Sequence, residues 1–142
     1  MANIDKSKIW CENVYVARSG FSNETTGDFD GAFAKKSFEK GELIEKGVMR
    51  RLPDGFDGNK CPYIFTWSNE KPNHVWAMGS GCSAFYNTNK EEDANTKMVR
   101  YFDEDRFEIF ATRDIRCDEE LTHTYLSLRW RECFRELSDL LS

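Results

Sequence analysis

Few side chains in this sequence can move protons, act as nucleophiles or bind metals. The histidines are His74 and His123, and the cysteines are Cys11, Cys61, Cys82, Cys117 and Cys133. No two cysteines stand in a C-x-x-C spacing and their number is odd. That pattern predicts neither a zinc site nor a disulfide framework, and it fits a reducing compartment. The acids Asp118, Glu119 and Glu120 cluster at a turn, where solvated carboxylates are the ordinary outcome. His123 lies between threonines and reads as a packing position rather than a proton carrier. There is no Gly-x-Ser-x-Gly elbow and no Walker phosphate loop. What remains is a hydroxyl, Tyr125, at the end of a strongly patterned segment running from Phe107.

That segment reads as an apolar strand, an acidic turn and a second short strand. It has an upstream echo between Gly31 and Ile44. Both phrases place an alanine, a basic residue and an apolar residue before a turn, followed by Glu-Leu. Around them the chain is strand-forming in short pieces. Val14–Ala17, Ala32–Ala34, Glu42–Glu45, Tyr63–Trp67 and Val75–Met78 are predicted strands. Met98–Phe102 and Phe107–Ala111 are predicted to form a hairpin across the connection Asp103–Arg106. Ser19–Gly31 and Leu52–Asn59 carry turn chemistry. Residues 127–141 repeat apolar side chains at helical spacing, among them Trp130, Phe134 and Leu137, and predict an amphipathic helix. The expected organisation is a lead-in over 1–13, one domain over 14–126 and a terminal helix over 127–142.

The 142 residues are enough for one core, with 39% hydrophobic and 32% charged residues. The net charge of −5 argues against direct nucleic-acid binding, which needs a basic stripe. It favours a basic partner such as a Lys/Arg-rich tail. With no apolar run long enough to cross a membrane and no signal-peptide pattern, the expected setting is intracellular, in nucleus or cytoplasm. Oligomeric state is not legible.

Four blocks in order resemble the SET domain, a lysine-methyltransferase fold, and especially its small viral and bacterial members. They are Gly27–Ala34; Tyr63–Trp67 with Ala77–Gly81; Phe85–Asn89 with Ala94-Asn95; and Ala111–Tyr125. The resemblance implies a mainly β fold of several small sheets, whose C-terminal segment threads under a preceding loop. It implies S-adenosylmethionine as cofactor and a lysine-containing protein or peptide, histone-like in class, as substrate. Tyr125 then takes the catalytic position and Tyr63 a wall of the lysine channel. Gly31, Ala32, Phe33, Asn87, Thr88, Tyr125 and Trp130 take the cofactor side. His123 stands where the family often carries the Phe or Tyr that tunes methyl number. Phe29 and Asp30 in the glycine turn, Thr88 in place of a histidine and Asp118 in place of a glycine depart from the family pattern; the loop before Ala94-Asn95 is about two residues longer and lacks its proline, and the zinc-binding cysteine cluster that follows many members is absent. The alternative they leave is a SET-like module that binds a peptide or protein partner without catalysis.

Overall fold

The computed structural model describes residues 6–25, 27–68, 75–125 and Cys133. The predicted helix over 127–141, apart from Cys133, and Trp130 with it, lie outside the described residues. Nine strands follow in order: β1 Val14–Arg18, β2 Asp30–Ala34, β3 Leu43–Arg51, β4 Phe65–Thr66, β5 Trp76–Gly79, β6 Asn87–Thr88, β7 Thr96–Tyr101, β8 Arg106–Ala111 and β9 Glu120–His123. They form two sheets, ordered β1-β2-β9-β6 and β4-β5-β3-β8-β7. The chain is therefore mainly β, with short sheets as expected. Among the described residues no helix is long and apolar enough to cross a membrane.

β8 shows why these segments become strands. Phe107, Ile109 and Ala111 are buried, and the residues between them are partly exposed. This is the two-residue period of a strand with one face on a core. Those side chains meet Ile44, Met49, Trp67, Ala77, Tyr86 and Leu121 in one apolar cluster. Each large apolar side chain sealed there contributes about 1.5–3 kcal/mol. The predicted hairpin is real, as β7 and β8 pair from Thr96↔Ala111 to Tyr101↔Arg106. Its four-residue connection is Phe102–Asp105, one residue earlier than expected. Asp105 takes the left-handed conformation at φ 50°. Its carboxylate accepts from Trp67 Nε1 at 3.0 Å and Arg51 Nε at 2.9 Å.

Two expectations change. The strand predicted over Tyr63–Trp67 shrinks to two residues, because a turn occupies Pro62 to Ile64 and Trp67 drops into the core at 1% exposure. The two strand pieces flanking Lys40-Gly41 do not pair with each other but enter different sheets. The upstream phrase pairs instead with its own echo. Gly41 N donates to Ala111 O, Phe38 and Ile115 exchange backbone bonds, Asp118 N donates to Ala34 O, and Ala32 lies opposite Leu121. The two similar phrases thus run antiparallel along one another. Asp118 adopts φ 70°, which a short polar side chain tolerates.

β9 enters its sheet between β2, antiparallel, and β6, parallel. The loop after β6 grips it. Asn95, 1% exposed, donates from Nδ2 to Glu120 O at 2.8 Å and to Glu119 Oε2 at 3.0 Å, and its Oδ1 accepts from Thr122 N at 2.8 Å. Asn89 N donates to His123 O and Thr96 Oγ1 to Thr122 O. The C-terminal strand is thereby locked beneath residues 87–96. Asn95→Ala leaves buried partners unpaired and is expected to cost about 2–3 kcal/mol in urea unfolding. Lys97→Ala, on the exposed side of β7, should stay within about 0.5 kcal/mol.

Candidate active site

Strand order alone gathers most of the residues singled out above. Gly31, Ala32 and Phe33 lie on β2, Asn87 and Thr88 on β6, and β9 between them leads directly to Tyr125. Tyr125 is fixed at both ends. Its backbone N donates to Thr88 Oγ1 at 3.1 Å, and its hydroxyl donates to Tyr86 O at 2.8 Å. The substituted position Thr88 therefore has a task here, since its hydroxyl sets the backbone from which Tyr125 projects. Tyr63 is not brought to this cluster. It sits in the turn ahead of β4, 74% exposed, with no hydrogen bond or ring contact to Tyr125, Tyr86 or His123.

The glycine turn is better built than its sequence implies. Left-handed φ is needed at Gly27, at +78°, and Phe29 has no positive φ. Phe29 is instead held by Ser22 Oγ, which donates to its carbonyl at 3.0 Å and accepts from its N–H at 3.1 Å. Gly31 is required for another reason. A Cβ there would lie 2.3 Å from Glu120 Oε2 and 3.0 Å from Asn87 Nδ2. The Glu120 carboxylate fills the space that Gly31 leaves and accepts from Ser19 Oγ at 2.7 Å, Gly20 N at 2.8 Å and Asn87 Nδ2 at 3.1 Å. Asn87 Nδ2 also donates to Asp30 O at 3.1 Å. Both amide hydrogens are thus committed, and among the described residues Oδ1 carries no hydrogen bond, leaving an acceptor suited to an ammonium group.

Reading the acids of 118–120 as solvated is correct for Asp118, which is exposed, and wrong for Glu120. Its position in the strand, rather than in the turn, was the available signal. Glu119 is held below the usual carboxylate range: its backbone and side-chain hydrogen bonds and the Arg113 guanidinium outweigh the opposing effect of burial. Two further residues escaped sequence reasoning. Tyr86 is 1% exposed, and its hydroxyl donates to Glu45 Oε1 at 2.8 Å. Glu45 is fully buried, and burial lifts its carboxyl to about 7 against the lowering effect of the Tyr86 and Cys82 N–H bonds. Strand alternation hid it, because a register shift between Leu43 and Glu45 turns both Ile44 and Glu45 inward.

His123 fills the space between the tyrosines. Its ring stacks on Tyr86 at 5.8 Å and meets Tyr125 edge-on at 4.9 Å. Burial, and then the nearby Arg100 cation, push its imidazole down to about 3, so it is neutral at ordinary pH. Its Nε2 and Arg100 Nε are buried without protein partners, and both residues line a cavity of about 410 Å³.

This depressed value has a definite consequence for stability. The folded state favours neutral His123, so its contribution is complete above about 6.5 and is lost as pH falls toward 3. Among the described residues Tyr86, Tyr125 and Arg100 face it, and Glu91 and Lys97 line the same cavity. His123→Phe keeps the ring packing and removes the proton. In paired urea titrations the native protein should lose stability relative to this variant by about 1.4 kcal/mol per pH unit between pH 6 and pH 4.

Comparison with known proteins agrees with this geometry. Residues 30–126 match the family model described as the SET domain. No curated protein matches the sequence. Among solved structures, one similar chain is a Plasmodium falciparum protein named as a candidate histone methyltransferase. It is 19% identical with a TM-score of 0.59, over 83% of this chain and 96% of that one. Another is the Chaetomium thermophilum Polycomb Repressive Complex 2 in an autoinhibited conformation bound to S-adenosylmethionine, 22% identical with a TM-score of 0.59 over 92% of this chain. The same complex with H3K27me3 and H3K27M is 25% identical, with a TM-score of 0.58 over 82% of this chain. The match spans only 17% and 15% of those two longer chains. The family model covers well over half of the sequence, and the two sheets with β9 seated between β2 and β6 are the matching fold: the chain belongs to the SET-domain family.

Proposed function

We propose that this protein is an S-adenosylmethionine-dependent protein-lysine N-methyltransferase acting on a basic, histone-like segment. The observation that carries the reading is the Tyr125 hydroxyl, held against the Tyr86 carbonyl one residue before Asn87. The cofactor side would be Gly31, Ala32 and Phe33 on β2 with Asn87 and Thr88 on β6. The fit rests on Oδ1 of Asn87, which carries no hydrogen bond among the described residues and can accept from the cofactor's ammonium. When bound, the cofactor supplies an electrophilic methyl on a sulfonium. That methyl would pass to the lysine nitrogen, the sulfur keeping the electron pair of its broken bond to carbon.

This chain's own residues do the positioning. The Tyr125 proton is committed to Tyr86 O, so toward the substrate its oxygen acts as an acceptor rather than an acid. Such an oxygen orients an amine N–H and favours partial positive charge on a transferring methyl. The amine must arrive uncharged, whereas free lysine has a pKa of about 10.4, so a desolvating site is needed. Neutral His123 against Tyr125 supplies an apolar ring surface there without adding a cation. A tyrosine hydroxyl is a poor base near neutrality, and the amine proton leaves to solvent. The net charge of −5 and the histone peptides in a structural neighbour support a basic substrate.

Calorimetry with S-adenosylmethionine and mass spectrometry of a lysine peptide array test this reading together. Native protein should bind the cofactor and add methyl mass to lysine. Tyr125→Phe should cut turnover about 10²-fold while cofactor affinity changes less than about threefold. Absence of cofactor heat would leave the partner-binding alternative standing, and undiminished turnover in Tyr125→Phe would remove that hydroxyl from the mechanism. Gly31→Ala should instead abolish cofactor binding, because its Cβ displaces the Glu120 carboxylate from Ser19, Gly20 and Asn87.

A further inference from the structure

Cys11 and Cys82 lie 71 positions apart in sequence, yet the fold brings both thiols to the carboxylate of Glu45. One ligand atom from each of the three residues falls within 4.8 Å of the others. Each comes from a different part of the chain: the lead-in before β1, the buried side of β3 and the turn after β5. The lead-in is not loosely placed, since Trp10 exchanges both backbone bonds with Lys46, the residue after Glu45. Gly81 completes the enclosure at φ +62°, and a Cβ there would meet Glu45 Oε2 at 2.5 Å and Cys11 Sγ at 3.3 Å.

Glu45 makes the cluster unusual. It is fully buried, both oxygens are hydrogen-bonded, and no salt bridge reaches it among the described residues. An ionised carboxylate buried without a cation is costly, and metal coordination is one of the few ways such a group is satisfied. Its bonds to the Tyr86 hydroxyl and Cys82 N–H are the outer contacts that orient a ligating carboxylate, and each oxygen keeps a lone pair beyond the hydrogen bond it accepts.

We propose that Cys11, Cys82 and Glu45 form a binding site for a thiophilic divalent cation of the zinc class, with water in the fourth position. Two sulfur ligands exclude magnesium and calcium as the preferred ion, and the hard carboxylate disfavours cuprous copper. Tetrahedral zinc with such ligands spaces them about 3.5–3.8 Å apart, so ligand atoms within 4.8 Å of one another need close by at most about 1.3 Å. The thiols are only part-buried and Gly81 is exposed, which gives an entry path. The ion would staple the lead-in to β3 and hold Glu45 on Tyr86, whose carbonyl receives the Tyr125 hydroxyl. The site does not depend on the methyltransferase reading.

Cobalt(II) makes the site visible. Reduced, metal-stripped full-length protein titrated with cobalt(II) alone should develop thiolate-to-cobalt absorption that saturates at one equivalent and disappears when zinc is added. Cys11→Ser and Cys82→Ser should each lose it, and Glu45→Gln should weaken cobalt binding at least about tenfold. The triple variant Cys61→Ser, Cys117→Ser, Cys133→Ser should keep it. A native protein without the band overturns the proposal, whatever the variants do. So does a band that survives Cys11→Ser or vanishes in the triple variant. Zinc should also raise the melting temperature of the native protein and leave that of Cys82→Ser unchanged.

Discussion

The seating of β9 between β2 and β6 is the constraint on which the candidate site depends. A four-residue strand has little pairing energy of its own, and here one of its neighbours is only two residues long. Side chains supply what the short ladders cannot. Asn95 binds the backbone on both sides of Leu121, and Leu121 itself is sealed in the core. Glu120 reaches the opposite way, to Ser19, Gly20 and Asn87. With those bonds made, the direction of the chain at His123 is determined, and Tyr125 can end only near Thr88 and Tyr86. The hydroxyl's position follows from the strand's anchorage more than from any contact made by the tyrosine ring.

A second network runs beneath this one. Glu45, Tyr86, His123 and Tyr125 form a continuous path of hydrogen bonds and ring contacts from the core to the site. Its polar members are deeply buried, and burial acts on them with opposite consequences. It raises the Glu45 carboxyl, raises the Tyr86 hydroxyl further and lowers the His123 imidazole. In each case the neutral form is favoured. Tyr86 and His123, the members that lie against Tyr125, are therefore uncharged hydrogen-bonding groups at neutral pH.

Much of the fold was legible because its signals are local. The two-residue alternation of Phe107–Ala111 and the acidic turn at Asp118 each depend on a few neighbours. The echo between the Gly31 and Phe107 phrases was legible as well, though its meaning was not. Only the fold shows that the two phrases pair with one another, through Phe38 and Ile115 and through Ala32 and Leu121. Tyr63 is read as a channel wall because it opens the strand of a matching block; the turn at Pro62 places it outside that strand and 74% exposed.

Residue type and order alone determined the class of fold and the family. Those properties rest on short-range periodicity and on motifs that stay contiguous in the chain. Tertiary structure alone decided the partners: Glu120 in the space left by Gly31, Glu45 turned inward by a register shift, and Cys11 beside Cys82. Each of these depends on segments tens of residues apart meeting at hydrogen-bond distance. The types of the residues in between do not encode that meeting; the packing of two sheets around one buried strand does.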